Sequence, residues 1–281
     1  MFVTGCHRSG TSLLASILRG LSNQEYSESS ELAPKLDNPR GFQESIRLNK
    51  LNNHLLELAG SRWDQPPLFQ PDWSAPTFFE ILFKAREEFA SLSLQKGWIE
   101  KNPRFCITGP AMEHLLLRRV PYAATLRRPK SVAISLFRRN GISLQKGFLI
   151  WFVYNYHLAS LLQPGDLLVT YESLLNDQRG AVYENCSEYL SRNGVELLAS
   201  SDISLTTQIA EQHLNRSCQE SINFKSCPPE LLNTCDELFE TCHESKGNVM
   251  VFKASFSTFP APILEGLAKS GFWSWSTWIF T

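Results

Sequence analysis

Residues 3–14, Val-Thr-Gly-Cys-His-Arg-Ser-Gly-Thr-Ser-Leu-Leu, have the residue types and spacing of a phosphate cradle that lacks the lysine of a nucleotide kinase. Gly5 and Gly10 are separated by four residues, as in a Walker A loop, but Thr11 and Ser12 follow Gly10 directly where that motif requires Lys. That lysine bridges the β- and γ-phosphates of a nucleoside triphosphate, so the loop is expected to hold a different anion. A strand, a glycine-containing turn and a helix start aim several backbone N–H groups at one point, which suits a phosphate. A capped turn with no ligand is the alternative. A second set of residues points to the same chemistry. From His114 to Gly165 there is no Asp or Glu, whereas Arg118, Arg119, Arg127, Arg128, Lys130, Arg138, Arg139 and Lys146 all fall there. Arg127 lies where a strand is predicted to end, and Ser135 about two turns into the next helix. An arginine and a hydroxyl so placed can converge on one phosphate. A solvated basic helix face accounts easily for Arg138 and Arg139, and less well for Arg127.

The elements that must position these groups alternate. A short buried strand, Met1-Phe2-Val3-Thr4, precedes the loop, and Leu13, Leu14, Ile17, Leu18 and Leu21 mark one face of the following helix. Residues 22–45 are polar, and helical spacing runs from Ile46 to Leu58. Residues 61–77 contain four prolines and cannot form one regular element. A helix is predicted over Thr77–Leu94, a strand over Gly97–Glu100, a helix around Gly109–Leu117 and a strand over Tyr122–Leu126. A helix follows from Pro129 to Gly141, then a long apolar and therefore central helix over Ile142–Leu162. A strand over Asp166–Tyr171 and a helix from Asp177 complete the pattern. Strands alternating with helices predict an α/β three-layer sandwich, its central parallel sheet covered on both faces by helices. From about residue 200 the pattern loosens. The expected organisation is a domain over 1–200 and an extension over 201–281, Cys-rich then aromatic, packed on the same domain.

With these motifs in hand, the chain resembles sulfotransferases that use 3′-phosphoadenosine 5′-phosphosulfate, and within them a bacterial branch. Gly-Cys-His-Arg-Ser-Gly-Thr-Ser resembles the family's 5′-phosphosulfate loop. Arg127-Arg-Pro-Lys-Ser-Val-Ala-Ile-Ser135 resembles its 3′-phosphate signature. Asp37-Asn-Pro-Arg-Gly-Phe-Gln-Glu44, Ser61-Arg-Trp-Asp64 and Tyr171-Glu-Ser-Leu-Leu175 are similar to segments of the bacterial branch, and the likeness covers roughly residues 1–195. The resemblance implies a P-loop-like fold, transfer of a sulfuryl group to an acceptor hydroxyl or amine, and no catalytic metal. It places His7, Arg8, Ser9, Gly10, Thr11 and Ser12 at the 5′-phosphate, with Arg8 neutralising the leaving oxygen, and Arg127 and Ser135 at the 3′-phosphate. His7 can equally pack or orient the loop. Glu44 is the first choice for the base, although a carboxylate at a helix start is also favoured by the dipole. Lys101 is similar to a lysine placed near the sulfonate. The related branch often has Lys-Asp-Pro-Arg where this chain has Lys101-Asn-Pro-Arg104, and an amide is no base, which bears on activity if that carboxylate matters. His54 is a weaker base candidate, better read as a surface helix residue.

A nucleotide or small-molecule kinase would share the fold but would want the loop lysine and a metal-holding carboxylate. A non-catalytic nucleotide-binding relative is the other alternative. The acceptor is expected to be a small molecule or carbohydrate, by analogy with the superfamily, docking near residues 22–45 and the segment holding Trp63 and Trp73, for both of which buried packing is the plainer role. At 281 residues and 43% hydrophobic, with formal net charge −1, the chain can bury a full core and shows no global sign of a nucleic-acid partner. No apolar run reaches the roughly 18 residues that cross a bilayer. The loop strand starts at the first residue, leaving no room for a signal peptide, so a soluble cytoplasmic protein with a complete or clipped N-terminus is expected. Cys218, Cys227, Cys235 and Cys242 are spaced C-x8-C-x7-C-x6-C without a C-x2-C knuckle. Reduced, buried thiols are therefore expected ahead of disulfides or a zinc site.

Overall fold

The computed structural model describes residues 1–22, 44–93, 98–176, 180–198 and 222–271. Four strands, β1 (Phe2–Gly5), β2 (Glu100–Lys101), β3 (Tyr122–Leu126) and β4 (Leu167–Thr170), form one sheet in the order β2-β1-β3-β4. Every pairing is parallel, with Phe2 opposite Tyr122, Gly5 opposite Thr125 and Leu126 opposite Thr170. A parallel pair needs a crossover, and helices supply each one. They are α1 (Thr11–Leu21), α2 (Ile46–Leu58), α3 (Pro76–Ser93), α4 (Phe105–Leu116), α5 (Pro129–Asn140), α6 (Leu144–Leu161), α7 (Tyr171–Leu175) and α8 (Ala181–Arg192). Three further helices, α9 (Pro229–Glu244), α10 (Val249–Ser255) and α11 (Ala261–Lys269), follow β4 and α8.

Alternation along the strands divides the core. Val3 of β1, Ala123 of β3 and Val169 of β4 pack with Leu13, Leu14 and Ile17 of α1 and Tyr189 and Leu190 of α8. Phe2, Tyr122, Ala124 and Leu168 face the other way, toward α4, α5 and α6. Phe2 stacks on Phe105 with centroids 4.2 Å apart. The result is the α/β three-layer sandwich, with helices on both faces of a parallel sheet. Helix α6 is buried nearly all round, from Phe148 to Tyr154, as its uninterrupted apolar sequence requires.

The structure differs from the sequence pattern in four places. Of the strand predicted over Gly97–Glu100, Gly97 lies outside the described residues, and among the described ones pairing runs over Glu100 and Lys101. Helix α4 begins at Phe105, ahead of Gly109, because the Asn102 carbonyl accepts from Phe105 N and the Asn102 side chain accepts from Arg104 N. Tyr171 leaves the strand and opens α7, where the Thr170 hydroxyl accepts from Ser173 N. The C-terminal region is helical from Pro229, and Leu231, Cys235, Phe239, Phe252 and Phe256 join the same core as Phe152. The turn between α9 and α10 lies against the outer strand. A Cβ on Gly247, at φ +81°, would sit 2.0 Å from the Leu168 carbonyl oxygen, so only glycine allows that approach.

Candidate functional site

The loop between β1 and α1 is fixed by its own polar atoms and by a ring laid across it. Ser9 N donates to the Cys6 carbonyl at 3.1 Å, and the Ser9 hydroxyl bonds Thr125 Oγ1 of β3 at 2.9 Å. Arg8 has φ +68°, an uncommon backbone state for a residue with a side chain. Gly10 is the N-cap of α1 at φ +95° and brings no side chain to that helix end. A Cβ there would lie 2.3 Å from Tyr171 Cδ2, so glycine is needed both for the turn and for the ring beside it. Thr11 is buried and Ser12 half-buried in the first turn of α1, whose leading N–H groups have no intrahelical acceptor.

Arg127 and Ser135, distant from the loop in sequence, meet it in space. Arg127 follows β3 directly and is buried; Ser135 lies on α5. Arg127 Nη1 donates to the Arg8 carbonyl at 2.9 Å, and Arg8 Nε donates to Ser135 Oγ at 2.8 Å. The Arg127 guanidinium carbon lies 4.1 Å from the centre of the Tyr171 ring, a cation–π contact. The indole N–H of Trp151 donates to the Arg127 carbonyl at 2.9 Å, tying this strand end to α6. The other cations of the basic run divide among structural tasks. Arg128 pairs with Glu240 and Lys130 with Asp236 across to α9, while Arg119 pairs with Asp166.

Two of the catalytic candidates, Glu44 and Lys101, are bonded to one another. Lys101 Nζ donates to Glu44 Oε1 at 2.7 Å, with side chains 3% and 6% exposed. Glu44 stands at the entrance to α2, one residue before the N-cap Ser45, and Lys101 is the last residue of β2. Asn49 Nδ2 donates to Glu44 Oε2 at 2.6 Å, and Arg104 Nη1 lies 3.7 Å from the same oxygen. Burial pulls the Lys101 ammonium below the ordinary lysine range, and the Glu44 carboxylate works against that shift. His7 is held neutral, well below the usual histidine range, first by burial and then by Arg104, Lys101, Arg139 and Arg8. Its ring contacts Trp63 at 4.8 Å and Tyr154 at 5.2 Å. Trp63 is half-buried beside the loop and Trp73 is buried in the core, whereas His54 is exposed on α2.

Sequence reasoning therefore found both ends of each pair and missed what holds them. Tyr171 enters the sequence pattern only within Tyr171-Glu-Ser-Leu-Leu175; its place directly after a parallel strand, like that of Arg127, is the signal that marks it. Asn49, Thr125 and Trp151 carry no such signal, because polar or aromatic residues within helices and strands are common. The segment from residue 23 to residue 43, including most of Asp37–Glu44, lies outside the described residues. So do Cys218 and the aromatic end beyond Gly271. Cys6, Cys106, Cys186, Cys227, Cys235 and Cys242 are free and buried. Among the described residues no group of three or more His, Cys, Asp or Glu is placed to hold a metal. No helix among them is long and apolar enough to cross a membrane. Comparison of the chain with protein-family models, curated proteins and solved structures finds no match.

Proposed function

We propose that the protein is a sulfotransferase that moves a sulfuryl group from 3′-phosphoadenosine 5′-phosphosulfate to a hydroxyl or amine of an acceptor, with a carbohydrate as the acceptor class the superfamily suggests. The observation that carries this reading is the junction at Arg8, whose carbonyl accepts from Arg127 and whose guanidinium bonds Ser135. It makes one continuous surface of a loop suited to a 5′-phosphate and a strand end suited to a separate 3′-phosphate. A triphosphate offers no second, isolated phosphate to such a surface. The donor set also fits: two guanidinium groups and the Ser135 hydroxyl meet at the junction, in the same loop that opens α1, and a bis-anionic nucleotide calls for such donors.

The chain's own residues then divide the work. Arg127 and Ser135 recognise the 3′-phosphate, and the loop from Ser9 to Ser12 holds the 5′-phosphate. Arg8 supplies positive charge where the leaving oxygen becomes anionic. Glu44 accepts the proton of the attacking group. Its bond to Lys101 gives that transfer a further consequence. Once Glu44 is neutral, the Lys101 ammonium loses the charge of that carboxylate and can turn more of its own to the negative charge growing on the sulfonyl oxygens. In a buried site such a shift of charge acts more strongly than at the surface, because water screens it less.

Calorimetric titration tests the reading with 3′-phosphoadenosine 5′-phosphate, adenosine 5′-monophosphate, and ATP with Mg²⁺. The bisphosphate is expected to bind and the other two to bind far more weakly. Arg127→Ala is expected to weaken the bisphosphate about 10- to 100-fold, the loss of one charge-assisted contact. Preference for ATP with Mg²⁺ would overturn the proposal in favour of a kinase. Bisphosphate binding without sulfuryl transfer to any hydroxyl or amine in an acceptor screen would identify a non-catalytic relative.

A further inference from the structure

The peptide bond that follows Arg127 is held at both of its polar groups by side chains from other elements. Its carbonyl, that of Arg127, accepts from Trp151 Nε1 at 2.9 Å. Its N–H, that of Arg128, donates to Glu172 Oε1 at 3.1 Å. Trp151 is fully buried on α6, and Glu172 lies on α7 directly after Tyr171. The sheet register explains why side chains are needed here. Leu126, the last residue of β3, stands opposite Thr170, the last residue of β4. The ladder between these strands stops at that pair, and the backbone groups beyond it still require partners. Alternation along the chain then sends the two arginine side chains apart. The Arg127 guanidinium turns to the loop, with Nη1 on the Arg8 carbonyl and its carbon 4.1 Å from the centre of the Tyr171 ring. The Arg128 guanidinium turns to α9, where it pairs with Glu240 and lies 4.8 Å from the Phe239 ring centre. Arg128 thus gives this strand end its N–H rather than its charge.

We infer that Glu172 and Trp151 are positioning residues: by fixing this peptide bond they set the direction of the Arg127 guanidinium, and with it the selectivity of the site for a nucleotide that carries a 3′-phosphate. The inference rests on the proposed donor for the 3′-phosphate and on the structure for the clamp. A strand end free to swing would lose affinity to the cost of ordering it at the moment of binding. The bond and the charge of Glu172 work in opposite directions. A carboxylate close to an anion site repels the anion, so on charge alone its removal should strengthen binding. The bond to Arg128 N–H predicts the reverse. Glu172 Oε2 has no partner among the described residues. Glu172→Gln therefore keeps the bonded oxygen, removes the charge and breaks no second bond.

The test is the ratio of the dissociation constants of adenosine 5′-monophosphate and 3′-phosphoadenosine 5′-phosphate, read by calorimetry, because that ratio isolates the 3′-phosphate. Glu172→Ala removes the acceptor, and Trp151→Phe removes the indole N–H while keeping a buried ring. Each is expected to lower the ratio about 3- to 10-fold, with affinity for the monophosphate unchanged. Glu172→Gln is expected to match wild type or exceed it. A ratio at or above wild type in either of the first two variants would overturn the inference. So would a Glu172→Gln variant that loses as much as Glu172→Ala. Equal losses for both nucleotides would mark a merely structural role and overturn it as well. If the bisphosphate does not bind wild type, the sulfotransferase reading fails separately, and inorganic phosphate titrated into the free protein becomes the probe. Glu172→Ala and Trp151→Phe must then weaken phosphate while Glu172→Gln does not. Phosphate bound equally by all four proteins, or by none, would overturn the positioning roles.

Discussion

Glu44→Gln is the substitution whose consequence the structure defines most sharply. It keeps the shape of the side chain and removes the charge that balances Lys101, which donates to it at 2.7 Å with 3% of its side chain exposed. Breaking a buried ion pair from one side leaves the other charge uncompensated and costs about 3–5 kcal/mol. That is a large fraction of the roughly 5–15 kcal/mol by which whole domains are stable. At about 2 °C per kcal/mol for a chain of this size, Tm should fall by roughly 6–10 °C. The pH dependence has a definite sign. Burial already lowers the folded-state pKa of Lys101, and loss of Glu44, which opposes that shift, lowers it further. The unfolded chain then binds more protons than the folded one, so stability rises as pH climbs from the folded value toward the ordinary lysine value of 10.5. The deficit of Glu44→Gln relative to wild type should therefore shrink between pH 7 and pH 10. Removing Lys101 as well should relieve part of it, because the Glu44→Gln, Lys101→Met pair no longer strands the ammonium, while Arg104, 3.7 Å from the original carboxylate, still loses that charge. Urea denaturation of the four proteins of this cycle at three pH values is the assay. A Glu44→Gln loss under about 1 kcal/mol, or one that Lys101→Met does not relieve, would refute the argument that this pair is a tightly coupled buried unit.

Other expectations follow from contacts around the loop and core. Gly10→Ala places a methyl against Tyr171 at φ +95°. It should cost about 1–3 kcal/mol in a denaturant melt, and Tyr171→Ala in the same chain should recover part of that; full tolerance of the alanine would contradict the packing. Ser135→Ala removes the hydroxyl that receives Arg8 Nε and should weaken 3′-phosphoadenosine 5′-phosphate about 5- to 20-fold by calorimetry, with little change in Tm. His157 is buried between Gln70 and the Pro67 carbonyl, and burial lowers it to about 4 against the opposing effect of that carbonyl. Its folded pKa lies below the unfolded value, so roughly 3 kcal/mol of stability should be lost as pH falls from 6.5 toward 4. His157→Gln should flatten that part of the stability curve, and an NMR titration of the ring with a midpoint above 6 would contradict it. Cys6, Cys106, Cys235 and Cys242 are buried thiols whose pKa values burial raises. A thiol reagent at pH 8 should leave these four unlabelled in the native protein and label them quickly in urea, as peptide mapping would read out.

The alternation of short apolar strands with helices was legible without coordinates, and the structure has the same order from β1 through α8. Periodicity is a local property, and burial of one face explains it wherever an element lies. The C-terminal helices were harder to read: α10 and α11 are short, and α9 buries Leu231, Cys235, Phe239 and Cys242 at helical spacing, but cysteines so placed compete as metal or disulfide candidates. Only the core they share with α6 shows what those positions are for. The start of α4 was hidden for a different reason. Its N-cap is Arg104, and the turn into it is held by Asn102, whose side chain and carbonyl both accept from the following backbone; the sequence there reads equally as a loop.

At the site the division is sharper. The phosphate loop is a contiguous segment whose glycine spacing and helix start are written in ten residues, and the type of each residue fixes what it can donate. The pairing of Arg127 with Ser135 by helical spacing is also local. The bonds from Arg127 to Arg8 and from Arg8 to Ser135 are not local, because they depend on β1 and β3 lying side by side in the sheet. Glu44 and Lys101 were separate candidates along the chain, and only packing of the start of α2 against the end of β2 makes them one ion pair.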